Sequence, residues 1–209
     1  ENVGKKSTSI YEQYYNVAET YIDAPFLTNH DQNRVASIII NPKQQKLASS
    51  ILLTLPGNPF IYYGEELGMK GSKPDEEIRE PYLWGKNDNS KTYWIENKNN
   101  KIGVDNYDIQ YKNKDSLYNH YKLLLNLRKK NEILKYGNYK FVDFNNSKIL
   151  AYERIYNKKS ILIIHNMSSE NISIDLVKNI SYYKILSLHD IANGKLNIDG
   201  YDTAIFNIN

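Results

Sequence analysis

The chain has 209 residues with 41% hydrophobic and 24% charged side chains, enough to bury a core and outside the composition of disordered or fibrous proteins. Its 27 basic and 24 acidic residues leave a net charge of +3, and they are intermixed rather than gathered into the basic stripe that nucleic acid requires. There is no cysteine, which excludes disulfides and thiolate metal sites.

The sequence contains no 18-residue apolar span, so no membrane span is expected; residues 1–16 carry no apolar run resembling a signal peptide, a leader upstream of them is left open, and so is localisation. Arg128, Lys129 and Lys130 form a lone basic run at the end of a predicted helix, where cations suit the helix dipole. Four N-x-S/T matches, at Asn145, Asn166, Asn171 and Asn179, are read as chance in an Asn-rich chain.

In chain order, residues 21–27 (YIDAPFL) read as a short strand whose Pro25 marks its end. A polar cluster follows: Asn29, His30, Asp31, Gln32, Asn33 and Arg34. Asn41-Pro42 then supplies an N-cap with proline at the first helical position, and Leu47, Ile51, Leu52 and Leu55 follow at helical spacing until Pro56-Gly57. Residues 58–64 (NPFIYYG) read as a second strand. Strand, helix, strand implies a parallel pair with a crossover.

An irregular stretch is expected from Glu65 to Tyr111, long enough to suggest a functional loop. A second helix follows, capped by Asp115 or Ser116, with Leu117, Tyr121, Leu124 and Leu125 as its buried face. From Asn138 the pattern changes to short β-rich runs at 139–144, 148–156, 159–167, 171–176, 183–188 and 202–208, the spacing of an antiparallel sandwich. Two domains are expected, 1–137 and 138–209, with the boundary near Gly137.

His30 and Asp31 fall just past the C-terminal end of a strand that feeds a crossover helix, where barrels and open α/β sheets place reactive groups. A carboxylate beside an imidazole can orient it, bind a sugar hydroxyl, or stabilise developing positive charge. On the residues alone two readings stand: the pair carries chemistry, or it caps Arg34 and the start of the helix.

FLTNHD with Gln32 and Arg34 resembles the fourth signature region of the α-amylase family, glycoside hydrolase family 13, at the end of that family's seventh barrel strand. LPGNPFIYYGEELGM (55–69) is similar to its eighth strand and following loop, and KPDEEIREPYLW (73–84) to the next segment in oligo-1,6-glucosidases and related bacterial amylases. DSLYNHYKLLLNLRKKNEIL (115–134) resembles the last barrel helix, and SILIIHNMS (160–168) a strand of the C-terminal sandwich.

The resemblance implies the C-terminal part of a (β/α)8 TIM barrel, strands 7 and 8 with their helices, followed by an antiparallel β-sandwich. It implies that Asp31 is the catalytic carboxylate that stabilises the transition state, that Asn29 and His30 bind the sugar at the cleavage point, and that Arg34, grouped with them as substrate-binding, helps hold the site. Glu65 and Glu66 are read as bracing the loop after the eighth strand.

A complete barrel of this kind needs about 250 residues and eight strands. The family's nucleophilic aspartate and general-acid glutamate belong to its fourth and fifth strands, which are not in this sequence. The expectation is therefore a segment of a retaining glycosidase acting on α-glucosidic bonds of starch, maltodextrin or related α-glucans, inactive alone and partnered by the missing part of the barrel. No cofactor or metal is assigned to the segment, and calcium in the parent is left open. The alternative is a non-catalytic, amylase-like module that binds sugar or a partner.

Overall fold

The computed structural model describes residues 9–11, 13, 14, 16, 17, 22–85, 92–176, 181–186 and 191–208. Tyr21 of the first predicted strand, the end of the strand predicted at 183–188, and Asn179 lie outside them. No helix among the described residues is long and apolar enough to cross a membrane.

The chain divides into two compact units. One comprises 24–53 and 59–127, and the other 1–23, 54–58 and 128–209.

In the first unit, the two predicted strands meet as a single parallel bridge, Phe26 to Phe60, with Phe60 N–H donating to the Pro25 carbonyl at 2.9 Å. The ladder is this short for a chemical reason. Pro25 has no N–H, so the rung that residue 25 would otherwise donate to the second strand is missing.

Two helices follow the first strand position, α1 (Val35–Ile38) and α2 (Pro42–Thr54). Asn41 Oδ1 accepts from Lys43 N–H at 2.9 Å, the cap expected from the Asn-Pro pair. Leu47 and Leu52 are buried as expected, Leu53 joins them, and Ile51 and Leu55 are only half-buried.

The stretch after the second strand is better organised than its sequence suggests. A 3₁₀ turn (Glu65–Leu67) leads to α3 (Asp75–Ile78), and α4 (Tyr107–Lys112) precedes α5 (Leu117–Lys130). Ser116 Oγ caps α5 by accepting from Asn119 N–H at 3.1 Å. Tyr121 and Leu124 are buried on α5, but Leu125 is 41% exposed, contrary to the expectation that it belongs to the buried face. Tyr121, Leu124 and Arg128 recur at three and four residues and make a narrower seam.

Fully buried Glu80 replaces the missing regular structure as an organiser of this stretch. Its Oε1 accepts from the backbone N–H of Lys98 and Asn99 at 2.9 and 2.8 Å and from Asn99 Nδ2 at 2.9 Å, and its Oε2 from Asn100 Nδ2 at 2.6 Å. A buried carboxylate is tolerated when its lone pairs are met in this way.

In the second unit the described residues between 9 and 17 are helical, and Tyr11 stacks on Tyr139 with centroids 4.7 Å apart. Helix α6 (Glu132–Tyr136) packs on two strands of an antiparallel sandwich. Strands β1 (Asn138–Phe141), β2 (Ile149–Tyr156), β3 (Lys159–Asn166), β5 (Tyr182–Leu186) and β8 (Thr203–Ile208) form one sheet in the order β1-β2-β3-β8-β5. Strands β4 (Ile172–Asp175), β6 (Ile191–Ala192) and β7 (Lys195–Ile198) form the other, ordered β4-β7-β6.

The sandwich core contains Ile149, Ala151, Leu162, Ile164, Leu196 and Phe206. Ile161, Ile163 and Tyr152, on the opposite face of β2 and β3, are also buried. That explains why 161–164 read as an unbroken apolar run rather than an alternation. The turn between β2 and β3 places Asn157 and Lys158 at φ 50° and 63°, the double left-handed geometry of a two-residue hairpin. Asn166, one of the N-x-S/T matches, is fully buried with its amide bonded to the Glu170 and Asp199 carbonyls.

Candidate active site

Immediately after the parallel bridge the backbone turns. Asn29 Oδ1 accepts from Asp31 N–H at 2.9 Å, an Asx turn that fixes the direction of the His30-Asp31 pair. Both side chains are left open to solvent, at 63% and 60% exposure, with His30 Nε2 3.3 Å from Asp31 Oδ2. The other carboxylate oxygen, Oδ1, lies 3.1 Å from Arg79 Nη2.

Arg79 is the residue that sequence reasoning missed. Its Nε donates to the His30 carbonyl at 3.1 Å, and its Nη2 also reaches Asp75 Oδ2 at 2.9 Å, so one guanidinium fixes both the backbone and the carboxylate of the pair. Asp75 in turn pairs with Lys73. Arg79 lies 48 residues beyond Asp31, and only the folding of the intervening loop brings them together. No periodicity marks it.

The loop is stitched back to the segment after Asp31. Arg34 N–H donates to the Gly71 carbonyl at 2.8 Å, Ser37 Oγ accepts from Gly71 N–H at 2.8 Å, and Asn33 Oδ1 accepts from Lys73 N–H at 2.9 Å. A β-carbon at Gly71 would lie 2.4 Å from the Glu77 carbonyl oxygen, so this close approach requires glycine.

Arg34 is placed apart from the other three expected site residues. At 2% exposure its side chain points inward, with Nε donating to the Ile78 carbonyl at 2.7 Å and Nη1 to that of Tyr63 at 2.6 Å. Its guanidinium lies 4.4 and 4.7 Å from the ring centroids of Tyr62 and Tyr63. Burial lowers its pKa. Arg34 thus ties the turn after the second strand to the end of α3, one residue before Arg79, and presents no open surface to a ligand.

Glu65 and Glu66 brace this turn. Tyr121 Oη donates to Glu65 Oε1 and Tyr82 Oη to Glu66 Oε1, both at 2.7 Å. Burial pushes Glu65 up to about 7, the Tyr121 hydrogen bond opposing the shift. Among the described residues no cluster of three or more His, Asp or Glu side chains is arranged to hold a metal ion.

Residues 3–137 match the family described as alpha amylase, catalytic domain, and residues 149–205 match the alpha-amylase SusG C-terminal domain. The chain belongs to the alpha-amylase family. Relatives of this alpha-amylase segment include Alpha-amylase 3 of Dictyoglomus thermophilum, 40% identical over 90% of the chain and 39% of that protein. Alpha-amylase SusG of Bacteroides thetaiotaomicron is 33% identical over 98% of the chain and 32% of that protein. The crystal structure of alpha-amylase from H. orenii superposes with a TM-score of 0.87 at 34% identity, covering 99% of the chain and 44% of that structure. The alpha-amylase segment therefore spans about two fifths or less of the length of these curated relatives.

Proposed function

We propose that this segment contributes one of the three catalytic carboxylates of a retaining glycosidase that cleaves α-glucosidic bonds in starch, maltodextrin or related α-glucans. The observation that carries the reading is the exposed His30-Asp31 pair held from behind by Arg79. Asp31 is the carboxylate that grips sugar hydroxyls as the ring flattens toward an oxocarbenium ion, and His30 bonds the same sugar. Asn29 serves them through the Asx turn, and Arg34 acts as a positioning residue beneath the loop.

A retaining reaction also needs a nucleophile and an acid/base about 5–5.5 Å apart across the bond. Asp31 cannot occupy both positions, and those two groups come from outside these 209 residues. On their own the 209 residues are expected to release no reducing sugar.

A carboxylate that binds hydroxyls more strongly in the transition state than in the ground state acts on kcat more than on KM. In the complete polypeptide, Asp31→Asn is expected to lower kcat on maltodextrin by about 10²–10³, the usual loss on removing one preorganised group. A variant within about threefold of the unmodified protein would return Asp31 to a capping role.

A further inference from the structure

Three buried polar atoms around Glu65 complete no hydrogen bond among the described residues: Thr28 Oγ1, Arg34 Nη2 and Glu65 Oε2. Their side chains are closed to solvent, at 5%, 2% and 5% exposure. The three act on one another, since the Thr28 hydroxyl and the Arg34 guanidinium both favour the ionised form of the Glu65 carboxyl. A hydroxyl, a cation and a carboxyl oxygen left short of full pairing inside a fold call for a reason beyond packing.

Each neighbour of Glu65 leads to Asp31. Thr28 immediately precedes Asn29, whose Oδ1 accepts from Asp31 N–H at 2.9 Å. Arg34 Nε donates to the Ile78 carbonyl at 2.7 Å, and the next residue, Arg79, brings its Nη2 to 3.1 Å from Asp31 Oδ1. Glu65 therefore sits where the strand arm and the loop arm of the site meet.

The carboxyl is also able to change state. Burial pushes it up to about 7, with the Tyr121 hydrogen bond opposing, Glu66 adding to the rise, and Thr28 and Arg34 opposing it. Glu80 lies behind Arg34 and favours its charge. Tyr121 Oη donates to Oε1 at 2.7 Å, and burial raises the phenol well above its ordinary range, so that bond survives in both states of Glu65. The proton is left to Oε2. Ionised, Oε2 draws the Thr28 O–H and the Arg34 N–H together; protonated, it carries an O–H of its own and lets Arg34 go.

We propose that Glu65 is a positioning residue for Asp31, joining Thr28 on the strand side to Arg34 on the loop side and so setting how well the Asp31 carboxylate meets a sugar. The proposal rests on the reading of Asp31 as a catalytic carboxylate. Glu65 touches no substrate and acts only through the two arms.

The test compares kcat on maltodextrin at pH 8 and pH 5.5 in the complete polypeptide, unmodified and with Glu65→Gln. The amide keeps an acceptor for Tyr121 and holds the neutral state at both pH values. The ratio of unmodified to variant kcat is expected to be about tenfold at pH 8 and about one at pH 5.5, with KM unchanged. The change should be centred near 7. A merely structural brace would lower kcat equally at both pH values. Should Glu65→Gln fail to fold, Thr28→Val carries the test, because valine fills the space of threonine without its hydroxyl and should cost more kcat at pH 8 than at pH 5.5. A loss independent of pH, or no loss, overturns the positioning role, and if Asp31→Asn still lowers kcat the reading of Asp31 stands. An Asp31→Asn protein as active as the unmodified one removes both.

Discussion

Acid should weaken the sandwich through one residue, His165. It is fully buried, with Nε2 3.1 Å from Tyr152 Oη and Nδ1 2.8 Å from Thr203 Oγ1. Burial pushes its pKa down to about 3 from an ordinary 6.5, so the folded ring stays neutral where the unfolded ring takes a proton. Protonation therefore favours the unfolded chain. The stabilising contribution is fully present above pH 6.5 and is lost progressively as pH falls toward 3. At pH 5 the gap is about 1.5 pH units, worth about 2 kcal/mol at about 1.4 kcal/mol per unit. Amide hydrogen exchange in β3 and β8, converted to opening free energies at pH 7.5 and pH 5, reads this directly. His165→Gln keeps a neutral hydrogen-bonding side chain at both pH values, and other titrating groups cancel in the comparison. The unmodified protein should lose about 2 kcal/mol more than the variant between the two pH values. Equal losses would refute the reasoning and show that His165 takes up its proton inside the fold.

Two stability predictions concern the loop that carries Arg79. Glu80→Ala strands the N–H groups of Lys98 and Asn99 and the Asn100 amide, and should destabilise this unit by about 3–5 kcal/mol in urea titrations followed by fluorescence of Trp84 and Trp94. A loss under about 1 kcal/mol would mean that water replaces the carboxylate at no cost. Arg34→Lys cannot reach both the Ile78 and Tyr63 carbonyls and forfeits the fit between two tyrosine rings, so a loss of about 2–3 kcal/mol is expected by the same measurement.

Legibility followed the range of the interactions involved. Asn41-Pro42 and Ser116 were readable as helix starts because a cap is written within three residues. The β-rich runs from Asn138 were readable because burial on one or both faces leaves a local pattern. Strands β6 and β7 were not foreseen, though Asn193-Gly194 between them is a strong hairpin signal, with φ of 53° and 75°. Their apolar residues, Ile191, Ala192, Leu196 and Ile198, fall in runs of only two and four residues, too short to stand out. At the site, Asn29, His30 and Asp31 form one contiguous word. The Arg79 contact spans 48 residues and the Glu80 network about twenty, and neither depends on a periodicity that a sequence can display.

Arg154 sets a rule for anyone who moves the sandwich to another protein. Its guanidinium, fully buried on β2, donates to the Gly137 carbonyl from Nε at 3.0 Å and from Nη2 at 2.6 Å, and to the Thr54 carbonyl from Nη1 at 2.6 Å. Thr54 Oγ1 also lies 2.6 Å from Tyr152 Oη, the start of a hydroxyl and imidazole chain that runs through His165 to Thr203. A graft beginning at Asn138 would carry a cation whose acceptors stayed behind on the donor. Such a graft needs either the last turn of α2 and the Gly137 carbonyl alongside it, or an apolar replacement for Arg154 and a new hydrogen-bond partner for Tyr152.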